Sequence, residues 1–598
     1  MDYLQKKSIR SVAAAITGFL RHSVRKIGIT REKLPSCIAL AVCPLVTFYL
    51  FEMYTHNPFT TMHFKTQLLN MAFYVLTALL LFGIVKYVRA ALMLQTAFFM
   101  VAGLANYYVL NFRSAPIMPW DIYSISTAAS VAGNFNYELS TSTILVIVGF
   151  LILLLIESRF HMKAPGRVAK RAALILLSIV MIYGYTGMIQ SESFVQSFGL
   201  YDKLFTPTVM NKRDGNIVAF LMEMEYLDVE KPADYSADGT GSNYEQAGKD
   251  SAGLAAAVED PESVKRPNII VIMDEAFSDL AVRGEFTTNE DYMPFIHSLQ
   301  QGAENTRTGY LNVSVLGGNT ANTEFEFLTG STIGFLPQGS VAYQQYVQKE
   351  MPSLASYLKE LDYHTVAIHP YYASGWDRDR VYPLLGFDEF LSQDDFRNPK
   401  RIRNYISDES SFAKIIELYE NKKEGEPLFV FNVTMQNHSG YEEEFHNFTP
   451  DITVDGIDSK ALSMYLSLVK QTDSALQGLI DYFSQADEDT MIVFFGDHQP
   501  TTYVSNPILR NNKVDPETLT DEENLLKYKV PYVIWSNFDI EEQTDGETSA
   551  NYLAMDVLKN CDLPLPALQS SLTGVREKYP VISAAGVREA DGTLTTVK

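Results

Sequence analysis

Five long apolar runs crowd into the first 190 residues, near positions 36–54, 67–87, 91–111, 141–157 and 172–190. A helix that crosses a hydrocarbon core needs about 17–25 residues, so each run predicts a transmembrane helix. Buried helices of a soluble core rarely come five together at this length with so little charge. The first run does not read as a removable leader, because a long basic stretch precedes it and four more spans follow. After residue 190 the pattern changes. Residues 191–262 predict a juxtamembrane segment with some helix, for example Ile217–Tyr226, and then a flexible linker over 231–262 rich in Gly, Ser, Ala and acids. From Pro267 onward, short continuous apolar runs alternate with helical stretches. NIIVIMD (268–274), HTVAIHP (364–370), LFVFNVTM (428–435), TMIVFFGD (490–497) and VPYVIWS (530–536) predict strands, and 351–361 and 461–483 predict helices. Strands apolar on both faces, separated by helices, predict a mostly parallel sheet covered on both sides. The expected organisation is therefore a membrane part over 1–190, a juxtamembrane segment and linker over 191–262, an α/β domain over 263–565 and a β-containing tail over 566–598. In that tail, VREADGTLTTV (587–597) reads as a structural hairpin around Asp591-Gly592.

Charge divides at the same place. Residues 1–190 hold 17 Lys and Arg against 6 Asp and Glu, a net +11 that leaves −34 for the remainder of a chain whose total is −23. So acidic a soluble portion argues against nucleic acid as a partner, since that needs basic patches. It leaves room for an anionic substrate, because a bound divalent cation supplies local positive charge. The basic residues also predict orientation. They gather before the first run and in the second and fourth connections (Lys86, Arg89; Arg159, Lys163, Arg167, Lys170, Arg171), whereas the first and third hold only Lys65 and Arg113. Those basic connections are expected on the cytoplasmic side. An odd number of spans then puts everything after residue 190 outside. Cys37 and Cys43 fall in the first apolar run and Cys561 stands alone in the soluble part, so no disulfide within that part and no Cys-based zinc site is expected.

In sheets of this kind ligands bind beyond the carboxyl ends of the strands. Four predicted strands end on polar residues: Asp274-Glu275, His369, Gln436-Asn437-His438 and Asp497-His498. A single such end is often a helix cap or turn residue. Four converging ends carrying oxygen and nitrogen donors point to a site, and Glu275, Asp497 and His498 form a mixed set suited to manganese, magnesium or zinc. Upstream, LGGNTANTEFEFLTG (316–330) places Gly317, Gly318 and Asn319 before Thr320 at the start of a helical run, a geometry that presents N–H groups to an anion. Thr320 reads equally well as a helix N-cap or as a cation-ligating nucleophile. Thr323 and Thr329 are weaker candidates. Asp274 reads as a supporting acid or a cap, His297 and His364 as packing or surface residues, and the acidic stretch 515–524 as a solvated loop.

Taken together and in order, DE (274–275), GGNTANTEF (317–325), HPYYASGWDRDRVY (369–382), MQNHSGY (435–441) and GDHQP (496–500) resemble the lipoteichoic acid synthase family. These are polyglycerolphosphate synthases with an extracellular sulfatase-like domain of the alkaline phosphatase superfamily on five transmembrane helices. The resemblance implies one Mn²⁺ ion (Mg²⁺ being an option) held by Glu275, Thr320, Asp497 and His498, with Thr320 as the nucleophile. It implies substrate contacts from His369, Trp376, Arg378 and His438. It further implies a phosphatidylglycerol donor and a glycolipid or growing polyglycerolphosphate acceptor at the membrane. Two positions depart from the family pattern on the substrate side: Tyr371 stands where an Asp is expected, and Asp377 where Asn is common. The place where sulfatases carry C/S-x-P-x-R reads Thr320-Ala-Asn-Thr-Glu, which argues against formylglycine chemistry. A single soluble Cys argues against the disulfide-bonded phosphoethanolamine transferases. The alternatives are a primase or another phospho-head-group transferase of the envelope, and a non-catalytic membrane receptor.

Overall fold

The computed structural model describes residues 32–113, 116–123, 139–164, 166, 168–201, 207–227, 265–336 and 340–595. The linker expected at 231–262 and most of the basic N-terminal stretch lie outside the described residues. The chain divides into two compact units, one of residues 1–119 with 137–225 and one of 120–136 with 226–598.

The first unit holds helices α1 (Leu34–Glu52), α2 (Phe64–Val85), α3 (Val88–Arg113), α4 (Thr141–Glu157) and α5 (Val168–Ile189), one for each expected span. α1, α2, α3 and α5 are long and apolar enough to cross a membrane; α4, at 17 residues, is shorter. At 1.5 Å per residue α4 reaches about 25 Å, near the lower limit for a crossing. Large side chains such as Phe98, Leu145, Leu155 and Leu176 stand 63–69% exposed, which suits lipid and not water. Polar groups turn inward instead: the Thr96 hydroxyl donates to Glu157 Oε1 at 2.8 Å. The expected juxtamembrane helix is α6 (Asn216–Glu223), continued as a 3₁₀ turn over Met224–Leu227. Asn216 donates to the buried Glu52 carboxylate from its backbone N–H at 3.1 Å and from Nδ2 at 2.7 Å, which fastens α6 to the end of α1.

The second unit is built on an eight-stranded sheet. In chain order its strands are β1 (Asn268–Asp274), β2 (Thr306–Asn312), β3 (His364–Ile368), β4 (Glu389–Leu391), β7 (Leu428–Val433), β8 (Thr490–Gly496), β9 (Lys529–Ser536) and β10 (Gln543–Ser549). A small hairpin, β5 (Arg401–Ile402) and β6 (Tyr405–Ile406), lies apart from it. The spatial order is β10-β2-β9-β8-β1-β7-β3-β4. Every neighbouring pair is parallel except those that β9 makes with β2 and β8. The five expected strands are β1, β3, β7, β8 and β9. β1, β7 and β8 are buried at every position. Alternate residues feed two separate cores: Ile269, Val271 and Met273 enter one, Ile270 and Ile272 the other. That two-sided burial is why these runs are apolar throughout. β2, β4 and β10 were not expected. β10 (QTDGETS) is a sheet edge exposed over most of its length, so it has no need of apolar residues. The C-terminal tail starts with a helix, Ala567–Lys578, before three short antiparallel strands. The expected hairpin pairs Gly586–Arg588 with Leu594–Thr595, and Gly592 takes φ +87° in its turn.

Candidate active site

Because β3, β7, β1 and β8 run parallel, their carboxyl ends open on one edge of the sheet. β1 delivers Asp274 and Glu275, and β8 delivers Asp497 and His498, with Asp274 in register against Gly496. Gly496 is required by a close approach: a Cβ there would lie 1.9 Å from the Phe277 carbonyl oxygen. Ligating atoms of Glu275, Asp497 and His498 all fall within 4.8 Å of one another, and all three residues are buried. His498 donates Nδ1–H to the Gln499 carbonyl at 2.9 Å, which leaves Nε2 as a lone-pair donor. That Nε2 and Asp497 Oδ2 are buried without any hydrogen-bond partner, and they stand 3.3 Å apart. Orphaned buried acceptors converging on one point are costly unless a cation satisfies them. The donor set, two carboxylates and an imidazole, fits a divalent ion. Among the described residues this is the one such cluster.

Helix α7 (Thr320–Thr329) brings the hydroxyl. Gly317 takes φ +67° and a Cβ there would press on Thr501 at 2.7 Å, so the turn leading into the helix needs glycine. Asn319, at φ +63°, occupies the N-cap position without a side-chain hydrogen bond to the helix, and Thr320 is its first helical residue. The N-cap reading of Thr320 is thereby corrected. Its hydroxyl donates to Glu275 Oε2 at 3.3 Å. The weaker candidates are occupied elsewhere: Thr323 Oγ1 donates to the Asp497 carbonyl at 2.8 Å and Thr329 Oγ1 to that of Phe325 at 2.7 Å. Burial, then repulsion from Asp497, pushes the Glu275 carboxyl well above its ordinary range. Burial likewise pushes Asp497 up, against the pull of His498.

Behind these groups Asp274 is fully buried and accepts from Thr434 Oγ1 and Asn437 Nδ2, each at 2.9 Å. It supports the loops and does not reach the cluster. The substrate-side candidates lie on the segments that follow β3 and β7. His369 is buried and donates Nδ1–H to the Val433 carbonyl at 2.9 Å; burial, then Arg378, pushes it well below its ordinary value. Burial, then Arg403 and His498, pushes His438 down to about 3, so both imidazoles are neutral at pH 7. Trp376 and Asp377 precede helix α8 (Arg378–Leu384) with φ +56° and +58°. Two left-handed non-glycine residues in a row cost on the order of 1–3 kcal/mol each, strain of a kind that gathers at functional sites. Arg378, the first residue of α8, is buried. It is 2% exposed and its guanidinium pairs with Glu324, a residue of α7 to which the sequence reading gave no role. Two further residues, Arg403 and Tyr405 of the β5–β6 hairpin, hold the His438 loop. Arg403 donates to the Gln436 and His438 carbonyls at 2.8 and 2.6 Å, and the Tyr405 hydroxyl is hydrogen-bonded to His438 Nδ1 at 3.0 Å. The only local signal was RIRNY, an unremarked basic–aromatic stretch in a short hairpin.

Residues 267–562 match the sulfatase family. A Rhizobium meliloti protein assigned to cyclic β-1,2-glucan modification is 29% identical over 73% of this chain and 66% of its own length. Lipoteichoic acid synthase 1 of Bacillus subtilis is 25% identical over 46% of this chain and 42% of its own. Among solved structures, the Streptococcus pyogenes phosphoglycerol transferase in complex with sn-glycerol-1-phosphate superposes with a TM-score of 0.50 at 23% identity, covering 59% of this chain and 89% of that one. The matches thus span less than two thirds of each curated relative, and the structural likeness speaks to the fold.

Proposed function

On the premise that residues 267–562 form a sulfatase domain of the alkaline phosphatase superfamily in a membrane protein, we propose that the chain transfers a glycerophosphate group. The donor is phosphatidylglycerol, and the acceptor is a glycolipid or a growing polyglycerolphosphate chain. The observation that carries this reading is the Thr320 hydroxyl, 3.3 Å from Glu275 Oε2 beside the unpartnered Asp497 Oδ2 and His498 Nε2. Glu275, Thr320, Asp497 and His498 would hold Mn²⁺ or Mg²⁺, which when bound supplies positive charge to the oxygens around phosphorus. Thr320 Oγ1 attacks the phosphorus and gives up its proton. The phosphorus–oxygen bond to diacylglycerol breaks, and the departing oxygen takes up a proton. Glycerophosphate is left esterified to Thr320. An acceptor hydroxyl then attacks the same phosphorus, loses its proton, and releases Thr320 Oγ1 to be reprotonated. Arg378 and the neutral His438 donate hydrogen bonds to the phosphoryl oxygens, the neutral His369, whose one N–H goes to the Val433 carbonyl, accepts from a glycerol hydroxyl through Nε2, and Trp376 offers its face to the glycerol carbons.

A second reading keeps the donor and moves the group to a glucan hydroxyl. It is favoured by the glucan-modification relative, whose match extends over 73% of the chain against 46% for the lipoteichoic acid synthase. Incubating the full-length protein in detergent with head-group-labelled phosphatidylglycerol, Mn²⁺ and either a glycolipid or a cyclic glucan separates the two. Label on the glycolipid is expected. Label on the glucan alone moves the assignment to the second reading, and no release of diacylglycerol in any arm sinks both.

The soluble domain works outside the cell in this reading, because its donor and leaving group are lipids of the outer leaflet. The orientation rests on the Lys and Arg distribution and on α4 completing the fifth crossing. A Thr240→Cys variant is expected to react with an impermeant thiol reagent added to intact cells, and Pro165→Cys to be protected. The reverse pattern overturns the orientation or removes α4 as a span, and equal labelling of both positions removes α5 as a span.

A further inference from the structure

The geometry points to Glu324 as the positioning residue of the site: it holds the Arg378 guanidinium so that its free end meets a phosphoryl group, and keeps it off the cation-binding carboxylates. This rests on the functional reading above.

Glu324 lies one helical turn beyond Thr320 on α7, on the same face of the helix. Its carboxylate is fully buried. Arg378 Nε donates to Glu324 Oε1 and Oε2 at 3.0 and 3.3 Å, and Nη2 donates to Oε1 as well. The Tyr382 hydroxyl adds a third donor to Oε2 at 2.7 Å. A guanidinium has five N–H groups in a rigid fork. Side-on pairing through Nε and Nη2 uses one edge of that fork. The Nη1–Nη2 end keeps only a long contact, from Nη1 to the Gly375 carbonyl at 3.4 Å. That end is the one able to take two oxygens of a phosphate monoester or diester in parallel. In a buried site holding Glu275 and Asp497, a loose guanidinium has a second destination, the carboxylates themselves. Thr320, one turn before Glu324 on the same helix, donates to Glu275 Oε2 at 3.3 Å, which sets that carboxylate one helical turn from the pair. An arginine that collapsed onto Glu275 would compete with the cation and leave the phosphate without its fork. Glu324 prevents this by being the nearer, better-shaped partner. The strained Trp376-Asp377 turn fixes the approach from the other side.

The test needs no transferase activity, so its failure is separable from failure of the donor or acceptor assignment. Full-length wild type, E324Q and the E324Q/R378M double variant in detergent are titrated with Mn²⁺ and, separately, with inorganic phosphate in the presence of Mn²⁺. E324Q keeps the shape but removes the charge that retains Arg378. It is expected to weaken Mn²⁺ binding by about tenfold or more, the scale of losses at groups that support a metal site, and to weaken phosphate binding as well. In the double variant no guanidinium remains to compete, so Mn²⁺ affinity returns to near the wild-type value while phosphate binding stays weak. A merely structural ion pair predicts no such recovery. Wild-type Mn²⁺ affinity in E324Q, or a double variant as weak as E324Q, overturns the proposal. Should E324Q not fold, the double variant, whose buried pair carries no charge, is compared with wild type alone. Retained Mn²⁺ affinity with lost phosphate binding supports the role, and lost Mn²⁺ affinity overturns it.

Discussion

Thr320→Ala is expected to lower transfer by about three orders of magnitude or more while the domain stays folded, the scale of loss when a nucleophile that acts in concert with its neighbours is removed. The structural cost is small for a stated reason. A helix-capping threonine contributes about 0.5–2 kcal/mol, but the N-cap position of α7 belongs to Asn319, and the Thr320 hydroxyl is directed to Glu275. Thr320→Ser keeps the oxygen and is expected to retain partial activity, whereas Thr320→Val keeps the branched shape and is expected to be as inactive as Ala. Quenching wild-type protein with donor lipid and no acceptor is expected to leave glycerophosphate on the peptide that contains Thr320. Modification of Thr323 is not expected, since its hydroxyl is spent on the Asp497 carbonyl. Label on Thr323, or product from Thr320→Ala, would sink the catalytic assignment even with the fold unchanged.

What could be read from the sequence follows burial. β1, β7 and β8 declare themselves because each is covered on both faces, so every position is selected for apolar character. The membrane helices declare themselves by the same physics, with lipid in place of protein. β10 stays silent because an exposed edge strand needs only backbone partners, and TRTGYLN in β2 is buried unevenly enough to look like a loop. At the site, the strand-end rule located Glu275, Asp497 and His498, since parallel strands bring their carboxyl ends together whatever the loops do. The rule says nothing about partners supplied by helices or hairpins. Glu324 sat inside a quoted motif, yet its pairing with Arg378 joins residues 54 apart through a turn that includes two left-handed residues. No local pattern announces such a turn. For the same reason the grip of Arg403 and Tyr405 on the His438 loop had to be seen in three dimensions.

Loss of Asp497 or His498, proposed to hold the cation, is expected to be as damaging as loss of Thr320, and to carry a signature in stability that loss of the Thr320 hydroxyl lacks. His498→Ala and Asp497→Asn are each expected to abolish detectable transfer and to weaken Mn²⁺ binding by about a hundredfold or more, since each removes one of few ligands. Asn is the informative choice at 497, because its side-chain oxygen still accepts the Ala276 N–H that Asp497 Oδ1 accepts at 2.7 Å. Without metal, Glu275 and Asp497 are buried carboxylates raised above their ordinary values. The folded state then holds more protons than the unfolded state, so stability of the metal-free protein falls as pH rises above about 4. Mn²⁺ displaces those protons, so its binding releases protons and tightens with pH. Three outcomes follow for thermal unfolding of protein stripped with a chelator. Metal-free Asp497→Asn is expected to match or exceed metal-free wild type, because one member of a repelling pair has lost its charge. The stabilisation that saturating Mn²⁺ confers on wild type, which grows with its ratio to Kd, is expected to increase as pH rises above about 4 and to be much smaller in the variant. A metal-free wild type whose stability is flat across that range, or full turnover by protein shown to hold no metal, would remove the single-cation site from the mechanism.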